Sequence, residues 1–202
     1  MLSIIIPCYR EEKFIAPCLD SIINQDVPKD ELEVIIVDGM SQDKTREIIK
    51  RYQEKYSYIK LLDNPRRITP CAMNIGIRAS SGEYVLILGS HSELGQSYLK
   101  KCIEYFNIYQ VDNLGGANKI IAADDSLEAK AIALAGMHYF GVGNAHYRIG
   151  TDSVIDSDPS FGCYRREVFA RIGYIDENLV RNQDIEFNSR LRMSGGRIML
   201  VP

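Results

Sequence analysis

The sequence predicts an α/β domain, a mostly parallel sheet with helices on both faces. Three observations carry that prediction. Strand-like apolar runs alternate with helical patterns, strand-helix-strand, through to residue 88. The runs SIII, EVIIV and YVLIL are continuous rather than alternating, as strands covered on both faces read. The 202 residues are 46% hydrophobic and 25% charged, enough for one sizeable core and a single domain over 1–202.

In order, residues 2–6 form the first buried strand, and Pro7 stops its ladder because proline has no N–H to donate. Phe14, Ile15, Cys18, Leu19 and Ile22 recur at helical spacing, giving an amphipathic helix to about residue 24. A loop at 27–30 leads to the second strand, 34–37, which Asp38 ends. The small polar turn Gly39, Met40, Ser41, Gln42 follows, and Asp43 is placed to cap a helix over 44–56. A third strand, 59–62, is broken by Asn64-Pro65-Arg66-Arg67. A helix over 70–79 and a Ser81-Gly82 turn precede the fourth strand, 84–88.

Beyond it the pattern predicts a helix at 96–109, a glycine-rich strand at 114–117 and an alanine-rich helix at 124–139. Residues 141–160 are irregular and polar and read as a mobile loop. Phe161-Gly162-Cys163-Tyr164 leads into a helix at 166–172. Asn182 is placed to cap a last helix over 183–193, closed by Gly195-Gly196, and RIML reads as a further strand.

Several function classes are disfavoured. A formal net charge of −3 with no basic tail gives no electrostatic reason to expect nucleic acid. The five cysteines are scattered and never at CxxC spacing, which points to reduced thiols in a cytoplasmic protein rather than zinc or disulfides. The first strand is followed by PCYREE with no GxGxxG, which argues against a nicotinamide or flavin cofactor. No signal peptide opens the chain, and no apolar run approaches the roughly 20 residues of a bilayer span. The stop at Pro202, directly after a strand, reads as a C-terminal truncation.

In an open parallel sheet, ligands bind just beyond the carboxyl ends of the strands, which is where Asp38 stands. As an acceptor-only group it suits a ribose hydroxyl or the ring NH of a uracil, or it serves only to cap the next helix.

The segments SIIIPCYREEKFIAPCLDSI, EVIIVDGMSQDKT, NPRRITPCAMNIGIRASSGEYVLIL and FGCYRREVFARIGYIDENLVRNQDIEFNSRLRMSGGRI resemble, in this order, the family 2 glycosyltransferases. Within them they are similar to bacterial exopolysaccharide enzymes of the succinoglycan type. The resemblance implies a GT-A fold, a nucleotide-sugar donor, and transfer with inversion at the anomeric carbon to a glycan or lipid-linked acceptor. It further implies that Pro7, Tyr9, Glu11 and Asp38 hold the nucleoside, and that Arg66, Arg67 and Asn74 run beside the donor diphosphate. Where many relatives have two adjacent aspartates this chain has Asp38-Gly39. The family's Asp-X-Asp motif falls on Gly89, Ser90 and His91, so the first carboxylate is absent. His91 stands at the ligand position for a divalent cation, Mn²⁺ or Mg²⁺, with Glu93 placed to add an oxygen and Ser90 beside the donor. Asn182-Gln183-Asp184 resembles the family's Glu-Asp pair and makes Asp184 the expected base, in a first helical turn whose macrodipole favours negative charge. Residues 141–160 become an acceptor-side flap, with Phe161-Gly162 at the acceptor-side turn. Work at the inner face of the cell membrane, through peripheral segments beyond residue 202, is a further implication. Two other readings of the sheet stand beside this one. A nucleotidyltransferase would carry a glycine-rich basic loop that PCYREE lacks. A non-catalytic nucleotide-sugar-binding module would explain the missing carboxylate, and the retained Asp184 opposes it.

Overall fold

The apolar runs become the centre of the sheet because every residue of 4–6, 34–37 and 85–87 is buried. The computed structural model describes residues 1–122, 124–160 and 162–202. Its strands are β1 (Leu2–Cys8), β2 (Leu32–Asp38), β3 (Ile59–Asp63), β4 (Tyr84–Ile87), β5 (Asn113–Gly115), β6 (Gly162–Arg165) and β7 (Ile198–Leu200). They form one sheet in the order β3-β2-β1-β4-β6-β5-β7. All run the same way except β6, which is antiparallel to both β4 and β5.

Alternation along the central strands sorts their side chains into two cores. Ile4, Ile6, Val34, Ile36 and Leu86 face one layer. It is built by α1 (Ile15–Ile23), α2 (Thr45–Lys55) and α4 (Tyr98–Ile108). Ile5, Ile35, Val37, Val85 and Ile87 face the other. That layer is built by α3 (Thr69–Ala79), α8 (Glu167–Ile172) and α9 (Gln183–Met193). On this second face α3 lies directly on β1: a Cβ added at Gly76 would come within 2.3 Å of the Ile5 side chain.

Registers place the strand ends. Cys8 pairs with Asp38, Asp38 with Asp63, and Ile5 with Ile87, so β1 to β4 all finish at one edge. β1 leads to β2 on one side while β4 returns to its other side, which makes the β1/β4 gap the topological switch point. α9 is joined to β7 by residues 194–197 and therefore runs against the parallel strands. Its N-terminus lies at the same edge as the ends of β1, β2 and β4.

Three expectations are corrected. Pro7 does not end the first strand: β1 stays paired with β2 through Pro7 and Cys8, because the pairing with β4 has already ended at Ile5 and the missing N–H costs no bond there. The stretch 162–165 leads into α8 as expected but is itself a strand, because β4 and β5 both bond to it. The expected helix over 124–139 is broken: α5 (Leu127–Ala135) stops at Gly136, and His138 caps the short α6 (Tyr139–Val142) by accepting a hydrogen bond from Phe140 N. The 141–160 stretch also contains the short α7 (His146–Ile149). It is tied down by Arg192, whose guanidinium pairs with Asp156 and Asp158 at 2.6 and 2.7 Å. Phe161 lies outside the described residues.

The edge opposite the strand ends is knitted by one buried carboxylate. Glu33 accepts from Ser3 Oγ at 2.7 Å, from Ser81 N at 2.9 Å and from Lys60 Nζ at 2.8 Å, tying β1, β2, β3 and the turn before β4. Burial disfavours its charge, but the hydrogen bonds from Lys60, Ser3 and Ser81 outweigh that and hold its carboxyl below the usual range. A depressed pKa contributes stability that is fully present above the unfolded-state value and lost as pH falls through the folded one. Urea unfolding at neutral pH is therefore expected to show Glu33→Ala destabilised by about 1–3 kcal/mol, because Ser3 and the Ser81 N–H lose their partner. The gap to the parent narrows below about pH 4.5. A neutral midpoint equal to the parent's would contradict this.

Candidate functional site

At the switch-point edge, the loops after β1, β2 and β4 are stitched together by their own polar groups. Gly39 N donates to Cys8 O at 2.8 Å, Arg10 N to Ser41 Oγ at 2.8 Å and Glu11 N to Thr45 Oγ1 at 2.9 Å. Lys44 N donates to Glu12 Oε2 at 3.0 Å. The Cys18 thiol of α1 points to Gly89 O at 3.8 Å, and His91 Nδ1 lies 3.8 Å from Glu11 Oε1. Three loops far apart in sequence thus make one surface.

Backbone conformation marks the same surface. Among the described residues, the non-glycine residues with left-handed φ are Arg10, Met40, Arg67 and Asn182, at +58°, +62°, +58° and +59°. They follow β1, β2 and β3 and precede α9. Such residues cost of order 1–2 kcal/mol each, and strain of this kind gathers at functional sites.

Asp38 is fully buried at the end of β2. Its oxygens accept from Ser41 N at 2.8 Å, Ser41 Oγ at 2.6 Å and the Arg46 guanidinium at 2.7 Å. Arg46 reaches on to Asp63 Oδ1, also at 2.7 Å, and so separates two carboxylates that the parallel register sets side by side. Both partners strengthen its positive charge. Sequence reasoning missed Arg46, although a basic residue in a first helical turn runs against the macrodipole and was a usable signal. Asp43, expected to cap α2, lies one residue before the N-cap position, Lys44, and accepts from Thr45 N at 3.2 Å; burial raises its carboxyl, but the hydrogen bonds from Thr45 and its neighbours together outweigh that and hold it below the usual range. Tyr9 packs on Gly39: an added Cβ would come within 2.9 Å of the ring. Tyr9 remains 39% exposed and faces the surface.

The expected donor residues divide into groups. Pro7 and Asp38 stand at the ends of β1 and β2, Tyr9, Glu11 and His91 lie in the stitched loops that follow β1 and β4, and Ser90 is buried. Arg67 is exposed in the loop after β3. Arg66 and Asn74 meet a residue the sequence did not mark: Glu177 accepts from Arg66 Nη1 at 2.5 Å and from Asn74 Nδ2 at 2.9 Å. Asp184 sits partly buried in the first turn of α9. Among the described residues its carboxylate has no side-chain hydrogen bond or ion pair. Its charge helps to push up the Tyr164 hydroxyl, after the larger effect of burial. Asn182 does not cap α9 with its side chain; its left-handed backbone turns the chain into the helix and leaves the first-turn N–H groups facing the edge.

A divalent cation fits this edge only in part. His91 and Glu11 offer one nitrogen and one oxygen, a set suited to Mn²⁺. Among the described residues no group of three His, Cys, Asp or Glu side chains could hold a metal by itself. A cation here fits as one completed by phosphate oxygens and water. Glu93, the expected oxygen ligand, lines a groove of about 560 Å³ beside α1 with Asp20 and Gln25.

This sheet, with its switch-point crevice and returning last helix, is the GT-A fold. The S. aureus TarS 1-349 structure in complex with UDP superposes with a TM-score of 0.77 at 22% identity, over 99% of this chain and 57% of that one. The mannosyltransferase PcManGT from Pyrobaculum calidifontis, in complex with GDP-Man and Mn²⁺, gives 0.73 at 22% identity, over 100% and 54%. The chain belongs to glycosyl transferase family 2, whose model matches residues 3–173. It is similar, at 31% identity over all of its length and 64% of the relative's, to a dolichyl N-acetyl-alpha-D-glucosaminyl phosphate 3-beta-D-2,3-diacetamido-2,3-dideoxy-beta-D-glucuronosyltransferase of Methanococcus voltae. It is also similar, at 28% identity over 98% of its length and 60% of the relative's, to succinoglycan biosynthesis protein ExoA of Rhizobium meliloti. The chain thus spans less than two thirds of the curated relatives it matches.

The Arg46 bridge makes an asymmetric prediction. Arg46→Ala leaves the Asp38 carboxylate buried without its counter-ion and is expected to lower stability by about 3 kcal/mol. Asp63→Ala removes only the exposed partner and is expected to cost under about 1 kcal/mol. Chemical denaturation of the two variants checks this, and equal losses would contradict it.

Proposed function

We propose that the chain forms the donor-binding and catalytic part of an inverting glycosyltransferase that passes a sugar from a nucleoside-diphosphate donor, UDP first, to a glycan or lipid-linked acceptor. The observation that carries it is a carboxylate at the start of α9, Asp184, without a side-chain partner among the described residues, beside the edge where the stitched β1, β2 and β4 loops open. The names of the relatives support a role in glycan assembly. ExoA belongs to succinoglycan biosynthesis and the Methanococcus protein acts on a dolichyl-linked sugar phosphate. The UDP complex of TarS supports a uridine donor.

In this reading the base and ribose lie against Tyr9 and the loop that Asp38 and Arg46 hold in shape. The diphosphate lies between Glu11–His91 and the loop of Arg66 and Arg67, whose guanidinium groups offset its charge. A divalent cation held by His91 and Glu11 would supply further neutralisation of the leaving diphosphate. The acceptor hydroxyl approaches from the α9 side. Its oxygen forms the new bond to the anomeric carbon on the face opposite the phosphate. The bond to the phosphate oxygen breaks, the nucleoside diphosphate leaves with that electron pair, and the hydroxyl proton passes to Asp184.

Asp184→Asn removes the proton acceptor and little else. It is expected to bind UDP, measured by calorimetry with Mn²⁺, within about threefold of the parent while kcat falls by about 10²–10⁴. Transfer that survives with weakened UDP binding would move Asp184 from the acceptor side to the donor side and overturn the assignment.

A further inference from the structure

The segment between α8 and α9 is clamped between two helices. Toward α3, Asn74 donates through Nδ2 to Ile175 O at 2.8 Å and accepts from Ile175 N at 3.0 Å. The Arg78 guanidinium lies 4.4 Å from the centre of the Tyr174 ring. Toward α9, Arg190 donates to Ile172 O at 2.5 Å and to Tyr174 O at 2.9 Å, while Glu186 steadies it at 2.7 Å. At the middle of this clamp stands Glu177. Besides Arg66 and Asn74, its carboxylate takes the Cys71 thiol at 3.0 Å and has Arg78 at 3.9 Å. Four groups of one helix and its preceding loop converge on one carboxylate. The Asn74 and Cys71 hydrogen bonds lead in holding that carboxyl below the usual range. Seven residues further on the chain reaches Asp184.

We propose that Glu177 is a positioning residue for sugar transfer: it locks the segment leading into α9 against α3, and so sets the distance between Asp184 and a donor lying beside Arg66. The proposal rests on the reading of Asp184 as the base. Its logic is geometric. Arg66 and Asp184 belong to elements more than 100 residues apart. Glu177 joins their two neighbourhoods through side chains, and a displacement of order 1 Å at a reacting group can cost about 100-fold in rate.

Glu177→Ala in the full chain is expected to lower kcat by about 10- to 100-fold while the donor KM stays within about threefold. Glu177→Gln, which keeps an acceptor for Asn74 but no charge for Arg66, is expected to fall between the variant and the parent. It also serves where the alanine variant does not fold. A kcat within twofold of the parent, or a loss confined to KM, would overturn the proposal. Hydrogen exchange provides a readout independent of activity: the amides of residues 174–186 are expected to exchange faster in Glu177→Gln than in the parent, and unchanged exchange would overturn the proposal. A parent chain that binds UDP but transfers no sugar would instead count against the reading of Asp184, leaving the exchange result to decide on Glu177.

Discussion

The site depends on the place of β1 in the sheet, hydrogen-bonded to β2 on one side and to β4 on the other. A strand with partners on both sides and helices on both faces has no room for water. The sequence of β1 meets that demand with three consecutive isoleucines and a single serine, whose hydroxyl is spent on Glu33. Because the chain leaves β1 toward β2 and comes back at β4, the loops from these strands diverge over the end of β1. The crevice is a consequence of strand order, before any functional residue is placed.

Polar chemistry then holds the crevice in shape. Backbone N–H groups of one loop donate to side chains of the next, and the Asp38 carboxylate is occupied by Ser41 and Arg46. Arg10 and Met40 hold left-handed conformations within these bonded loops, and Arg67 and Asn182 do so in the segments after β3 and before α9. A surface that tolerates such strain only where loops meet is shaped for something other than stability. The opposite edge, closed by Glu33 with Ser3, Ser81 and Lys60, shows none of it among the described residues.

How much of this was legible follows from the range of the forces involved. The first four strands and the helices between them were readable, since continuous apolar runs and helical spacing are local signals. The last helix was found with its bounds intact. β6 was not, because four residues, GCYR, carry no periodicity, and only β4 and β5 make them a strand. The break after α5 escaped notice because an alanine-rich stretch reads as helix through Gly136. Asp38 could be picked out by its place after an apolar run, while His91 and Asp184 were marked only by the family resemblance. Arg46 left a faint trace as a base in a first turn. Glu177 left none, since its partners lie 99 to 111 residues away and no local pattern announces them.

Family 2 membership agrees with this architecture, and the matched span of residues 3–173 holds every strand end that forms the crevice. What the fold offers is one edge where the loops after β1, β2, β3 and β4 meet the start of α9. The most direct measurement is a crystal structure of the chain with UDP and Mn²⁺. The account predicts the uracil and ribose against Tyr9 and the Asp38 loop, the diphosphate between His91 and Arg66, and its terminal phosphate directed toward Asp184. A nucleotide bound elsewhere, such as the groove beside α1, or a diphosphate directed away from α9, would contradict it.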